Sequence, residues 1–218
     1  MIDFELNLDT VVKLMNLVLT LNAFDFNNEI FCQIHGTSMG TPVAPTYANI
    51  FMTWLETNFM LNLTKKPFVY KRYLDDIFMI WPHSINDLDE FVSKFNNFHE
   101  TIELTAEFSD SKINFLDVTV QRNNSKLITT LYKKPTHKNQ YLHFESAHTR
   151  DCKTGIPNSQ VVRLRRICSD DTDYEEKIDE LIGTLGKRKY PKQLLHATKN
   201  KSKSIQRSDT IRQKKEKI

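Results

Sequence analysis

The stretch Phe68-Val69-Tyr70-Lys71-Arg72-Tyr73-Leu74-Asp75-Asp76-Ile77-Phe78-Met79-Ile80-Trp81 decides how the rest of the chain is read. Two runs of aromatic and β-branched residues flank a pair of carboxylates, which predicts two strands joined by a tight turn. Adjacent carboxylates repel each other, and a divalent cation between them relieves the repulsion. An Asp-Asp pair at a turn, taken alone, is more often a solvated loop than a metal site. The segment upstream shifts that balance.

Gln33-Ile34-His35-Gly36-Thr37-Ser38-Met39-Gly40-Thr41-Pro42-Val43-Ala44-Pro45 places two glycines and two prolines within ten residues, which forbids regular structure until Pro45. Tyr47, Ala48, Phe51, Met52 and Leu55 then recur at helical spacing, predicting a helix over residues 46–62. Glycines in such a loop let backbone approach a ligand closely. Thirty-five positions separate Gly40 from Asp75. Together the loop and the Tyr73-Leu74-Asp75-Asp76 turn resemble two signature motifs of reverse transcriptases. The wording from Gly36 through Met52 is similar to the Penelope-like retroelement branch in particular.

The bounds are compatible with that resemblance. The chain has 218 residues, 39% hydrophobic and 26% charged, enough for one or two globular domains. Cys32, Cys152 and Cys168 share no metal spacing and cannot all pair, which suits a reducing, intracellular setting, nuclear or cytoplasmic. The apolar run from Val11 to Leu21 is short and interrupted by Lys13 and Asn16, so it reads as a buried helix and no membrane is involved. No signal peptide precedes it.

Net charge is only +3 but unevenly placed. Residues 1–62 hold six acids and one base, residues 132–199 fourteen bases and nine acids, and residues 200–218 seven bases and two acids. The basic half is expected to face a polyanion, although the last nineteen residues alone also fit a solvated tail.

The pattern predicts helices at residues 9–23 and 46–62, and another at 85–99 with Leu88, Phe91, Phe95 and Phe98 on one face. Residues 24–28 read as a turn, and 30–34 as a short strand. Residues 102–108, 113–121 and 127–132 read as three further strands. This is an α+β arrangement that fits a polymerase palm, an antiparallel sheet with helices. A small helical, helix-turn-helix-like unit follows. One helix is expected from Ile156-Pro157, a second over residues 173–185 capped by Asp173 and closed by Gly186, and a third through Leu194 and Leu195. The expected domains are residues 1–131, a partial palm; 132–197, a basic helical domain; and 198–218, a disordered basic tail.

What the resemblance implies is an RNA-directed DNA polymerase, acting on an RNA template, a DNA primer and deoxynucleotides. Two Mg²⁺ or Mn²⁺ ions would steady the attacking and leaving oxygens. Asp75 is then the principal hairpin ligand and Asp76 a supporting one. Met39, Gly40, Thr41 and Pro42 in the loop, with Lys71, Arg72 and Tyr73 on the hairpin, are implied to touch template, primer or nucleotide. Lys133, Lys134, Arg163, Arg165 and Arg166 are expected to bind nucleic acid through phosphates. The family also uses a metal-binding Asp on a strand upstream of the loop, in a motif these 218 residues do not contain. The metal site is therefore expected to be incomplete and the isolated chain inactive. Asp117, in Phe115-Leu116-Asp117-Val118, follows the hairpin instead and reads as a structural Asp.

Two alternatives from other classes stay open. One is a non-catalytic remnant that binds nucleic acid through the basic helical unit. The other is an unrelated α+β metal hydrolase, which leaves the loop, the hairpin and their spacing without a common explanation. The oligomeric state is not legible in the sequence.

Overall fold

The computed structural model describes residues 7–38 and 40–211. They form an α+β protein of two compact units that divide between Thr105 and Ala106.

In the first unit, α1 (Leu8–Thr20) is capped by Asn7, whose side chain accepts from the Asp9 amide. The sequence suggested Asp9 itself as cap and a buried helix; no residue of α1 is buried, and Leu8 is 74% exposed. Hydrophobicity declares what tends to be buried, not which element covers it; of the apolar residues of α1 only Met15 and Leu19 are half-buried. The expected turn at residues 24–28 is narrower. Strand β1 (Ala23–Phe26) pairs antiparallel with β2 (Glu29–Cys32) around Asn27 and Asn28, both at positive φ. Asparagine tolerates the left-handed region that a two-residue hairpin turn of this kind requires.

The core of this unit is aromatic. Helix α2 (Ala44–Leu61) contributes Leu55 and Phe59, and α3 (Ile85–Asn96) contributes Phe91 and Phe95. Phe59 meets Phe95 edge-on with ring centroids 4.7 Å apart. Between the helices in sequence, β3 (Val69–Tyr73) and β4 (Asp76–Ile80) form a hairpin whose Tyr70 and Met79 pack on the same cluster. Ser84 and Asp87 close a capping box at the start of α3. Residues 102–108, expected as a strand, are unpaired. The Asn96 side chain donates to the Leu104 carbonyl at 3.0 Å and accepts from its amide at 2.7 Å, taking the bonds a neighbouring strand would make.

The second unit joins a three-stranded antiparallel sheet to helices. Its strands are β5 (Lys112–Phe115), β6 (Val118–Asn123) and β7 (Lys126–Leu131). Its main helices are α4 (Arg150–Ile167), α5 (Asp171–Lys187) and α6 (Lys192–Ser202), followed by one turn, α7 (Arg207–Thr210). Helix α4 begins before Ile156 and carries Pro157 in its interior, buried in the core. Helix α5 is capped by Asp170 rather than Asp173, and Gly186 lies within it. Val161, Leu164, Ile178, Leu181, Leu185 and Leu195 make the core.

This division differs from the boundary expected between residues 131 and 132. Strand β7 is held to the helices: the Thr129 hydroxyl donates to the Ile167 carbonyl at 2.6 Å, and the Ser169 hydroxyl accepts from the Thr129 amide at 2.8 Å. Nor are residues 198–211 a loose tail. Tyr174 donates to the Ser202 carbonyl at 3.2 Å, and Arg166 donates to the Thr210 carbonyl at 2.7 Å. The rest of the expected tail, residues 212–218, lies outside the described residues.

Cys168 is buried, and that burial pushes its thiol up to about 12, while Cys32 and Cys152 are exposed. The thiolate is the reactive species. Ellman's reagent at neutral pH should therefore titrate two thiols in the native chain and a third only in denaturant.

Candidate functional site

The hairpin turn is built by Leu74 and Asp75, since Tyr73 pairs with Asp76 across the ladder. Leu74 has φ 55, a left-handed conformation that costs a branched side chain energy, so surrounding contacts must hold it. They come from Arg72. Its Nη1 donates to the Leu74 carbonyl at 2.9 Å and to Asn49 Oδ1 on α2 at 2.9 Å. Its Nε donates to Glu56 Oε1 at 2.6 Å, and the Tyr70 hydroxyl donates to the same oxygen at 2.8 Å. The Arg72 and Glu56 side chains are only 9% and 14% exposed. Burial, with the adjacent Glu56 carboxylate, pushes the Tyr70 phenol well above its ordinary range. One guanidinium thus fastens the tip of the hairpin to α2.

Helix α2 is fed directly by the Gly/Pro loop. The Thr41 carbonyl accepts from the Ala44 amide at 3.2 Å, and the Thr41 hydroxyl accepts from the Val43 amide at 3.3 Å. Gly36 and Gly40 both have positive φ, at 77° and 97°, so the loop needs glycine at those two turns. Asn49 stands one turn and a half beyond the helix start, so the loop's exit and the hairpin tip lie against the same end of α2.

The sequence-nominated residues separate into groups. Asp75, Asp76, Tyr73 and Lys71 are exposed at or near the tip. Gly40, Thr41 and Pro42 lie in the loop, and Met39 lies outside the described residues. Arg72 is not presented to a ligand; it is consumed in the network above. No group of three or more His, Cys, Asp or Glu able to hold a metal ion occurs among the described residues. Two exposed neighbouring carboxylates fit one weakly held cation at most, not a closed two-ion centre.

Four of the five nominated basic residues of the second unit are bonded within the fold. Arg163 pairs with Asp117, at the β5–β6 turn. Arg165 donates to the Ile205 carbonyl at 3.2 Å, pairs with Asp171 at 2.6 Å and lies over the Tyr174 ring at 4.7 Å. Arg166 binds the Thr210 carbonyl, and Lys133 reaches Glu180 at 3.5 Å. Lys134 and Arg166 are exposed, while Lys133, Arg163 and Arg165 are half-buried. Sequence reasoning gave Asp117 a structural part but not its partner, which stands 46 residues away.

Residues 140–200 match the family model of the Animal helix-turn-helix domain, spanning α4 to α6 and the segment before them. No curated protein and no solved structure matches the chain. No helix among the described residues is long and apolar enough to cross a membrane.

Proposed function

We propose that this chain belongs to a reverse-transcriptase-type polymerase: residues 7–105 form the hairpin-and-loop corner of a palm, and residues 106–211 a unit that holds nucleic acid. The observation that carries the reading is Arg72, whose single guanidinium bonds both the hairpin tip and the helix that the Gly/Pro loop feeds. A coincidental Asp-Asp turn has no reason to be fastened there. Asp75 and Asp76 would face the nucleotide end, with Gly40, Thr41 and Pro42 beside them and Lys71 and Tyr73 toward the primer. RNA template, DNA primer and deoxynucleotides are the ligands of this reading. The carboxylates present do not complete a two-ion site, so no chemical step is derived through Mg²⁺ or Mn²⁺. The non-catalytic alternative, nucleic-acid binding by the helical unit, is favoured for the isolated chain by the helix-turn-helix match.

Fluorescence anisotropy of the full chain with labelled RNA and DNA oligonucleotides tests the part common to both. Binding should tighten at low salt, with log K falling linearly in log[salt] by about 0.7 to 0.9 per phosphate engaged. Absence of binding even at low salt would end the nucleic-acid reading.

A further inference from the structure

We infer that α1 pairs with α1 of a second copy of this chain, in parallel, so that the first unit carries a self-association surface. The inference is independent of the nucleic-acid reading and begins with the order of residues along the helix. Val11, Leu14, Val18 and Leu21 at the C-cap recur at alternating steps of three and four, so they share one side of α1. All four are exposed, as is Leu17 beside them. Asp9, Lys13, Asn16 and Thr20 recur at the same steps on the opposite side and include both charged residues of the helix.

That spacing is the seam two helices need in order to wind around each other, and Val at the first heptad position with Leu at the fourth favours two parallel strands. Charges beside such a seam choose the partner. Here the flanking positions are Leu8, Thr10, Met15 and Leu17, and none is charged. Nothing in the seam selects an acidic or a basic helix, and an identical apolar seam matches it. Because one patch serves both copies, the pairing closes as a two-fold dimer and leaves no matching surface for further growth.

The β1–β2 hairpin extends the surface. Buried Asn22 ties it to α1: the Asn22 side chain donates to the Leu19 carbonyl at 2.9 Å, and its own carbonyl accepts from the Gln33 amide at 2.8 Å. Phe24, Phe26 and Phe31 cluster on one face of the hairpin, with the Phe24 and Phe31 rings stacked 5.8 Å apart, and all three are exposed. A thirteen-residue helix is marginal in water by itself, as is a two-stranded hairpin, so both gain from being covered. Twelve large hydrophobic side chains from Leu8 to Ile34 are 37% to 84% exposed. At roughly 100 Å² for each half-exposed side chain of this size, they open on the order of 1,000 Å². The largest apolar patch of a typical monomer is about 300–600 Å², and each partner in a standard interface gives about 800 Å². The open area is that of a dimer's contact surface.

The test is sedimentation equilibrium of the nuclease-treated full chain at about 100 µM, above the weakest dissociation constants of interfaces this size. The expected mass is twice the 25.6 kDa of one chain. Leu14→Glu with Val18→Glu sets like charges against each other across the seam and should raise the dissociation constant at least about a hundredfold. Asn16→Glu with Thr20→Glu adds the same charge at the same spacing on the opposite side and should leave the mass unchanged. Should the seam pair lose helicity by circular dichroism, crosslinking decides. In a chain carrying Cys32→Ser and Cys152→Ser, Leu14→Cys should form an intermolecular disulfide on mild oxidation, because parallel pairing sets the two copies of position 14 side by side. Asn16→Cys in the same chain should not. A monomer at about 100 µM overturns the inference and leaves this face to a partner of different sequence. A dimer that the seam pair does not weaken overturns it too, as does crosslinking at position 16 that matches position 14. Each of these outcomes leaves the proposed function standing.

Discussion

Replacing Arg72 by Ala is expected to destabilise the first unit by about 3 kcal/mol, the low end for removing one partner of a nearly buried ion pair. Three acceptors lose their donor at once: Glu56, Asn49 and the Leu74 carbonyl. The Glu56 carboxylate, 14% exposed, keeps only the Tyr70 hydroxyl. The positive φ of Leu74 loses the contact that holds it. Both tryptophans, Trp54 and Trp81, lie in this unit, so tryptophan fluorescence during urea unfolding reports it separately. Changing the pair together, Arg72→Met with Glu56→Leu, should cost less than Arg72→Ala, because no charge is left without its partner. A single Arg72→Ala chain with a wild-type midpoint would show that the network does not hold the hairpin.

Arg165→Ala is the second large effect, about 2 kcal/mol in the other unit. The arginine donates to the Ile205 carbonyl and lies over Tyr174, and its side chain is 12% exposed. Leaving a half-buried carbonyl without a donor costs about 1–3 kcal/mol, and a cation over an aromatic face adds about 1 kcal/mol. Asp171, 82% exposed, simply returns to water. Hydrogen exchange read by mass spectrometry should show faster exchange across α4 and residues 203–211. The salt slope of nucleic-acid binding should stay unchanged, because this guanidinium faces inward. A reduced slope with unchanged exchange would return the arginines to the binding surface.

These two arginines show where the sequence was legible and where it was not. Local patterns carried the hairpin: alternating Val69 to Tyr73 and Asp76 to Ile80 are strands, and Leu88, Phe91 and Phe95 are the buried face of α3. The turn lies one residue before the Asp-Asp pair, because Leu74 takes the left-handed position and Asp76 already pairs with Tyr73. Phe115-Leu116-Asp117-Val118 repeats that geometry, with Leu116 also at φ 55, and there Asp117 is bound by Arg163. Such pairings join residues far apart in the chain, and no periodicity encodes them. An arginine on a helix has a stem long enough to reach a neighbour or the solvent, so position on α4 did not reveal direction. The unit boundary at Thr105 was hidden for a similar reason: the Thr129–Ile167 and Thr129–Ser169 bonds that bind β7 to the helices are long-range. The helix-turn-helix-like unit was legible because α5 shows its apolar stripe locally, with Tyr174, Ile178, Leu181 and Leu185 all buried.

The central claim is that the Asp75–Asp76 turn and the Gly/Pro loop form one corner able to hold a divalent ion against a nucleotide. Paramagnetic broadening of backbone amide signals by Mn²⁺ tests it most directly. The account predicts weak binding that broadens Leu74–Ile77 and Gly40–Thr41 together and disappears in Asp75→Asn with Asp76→Asn. Broadening confined to one of the two segments, or a tight two-ion site that survives Asp75→Asn, would contradict it.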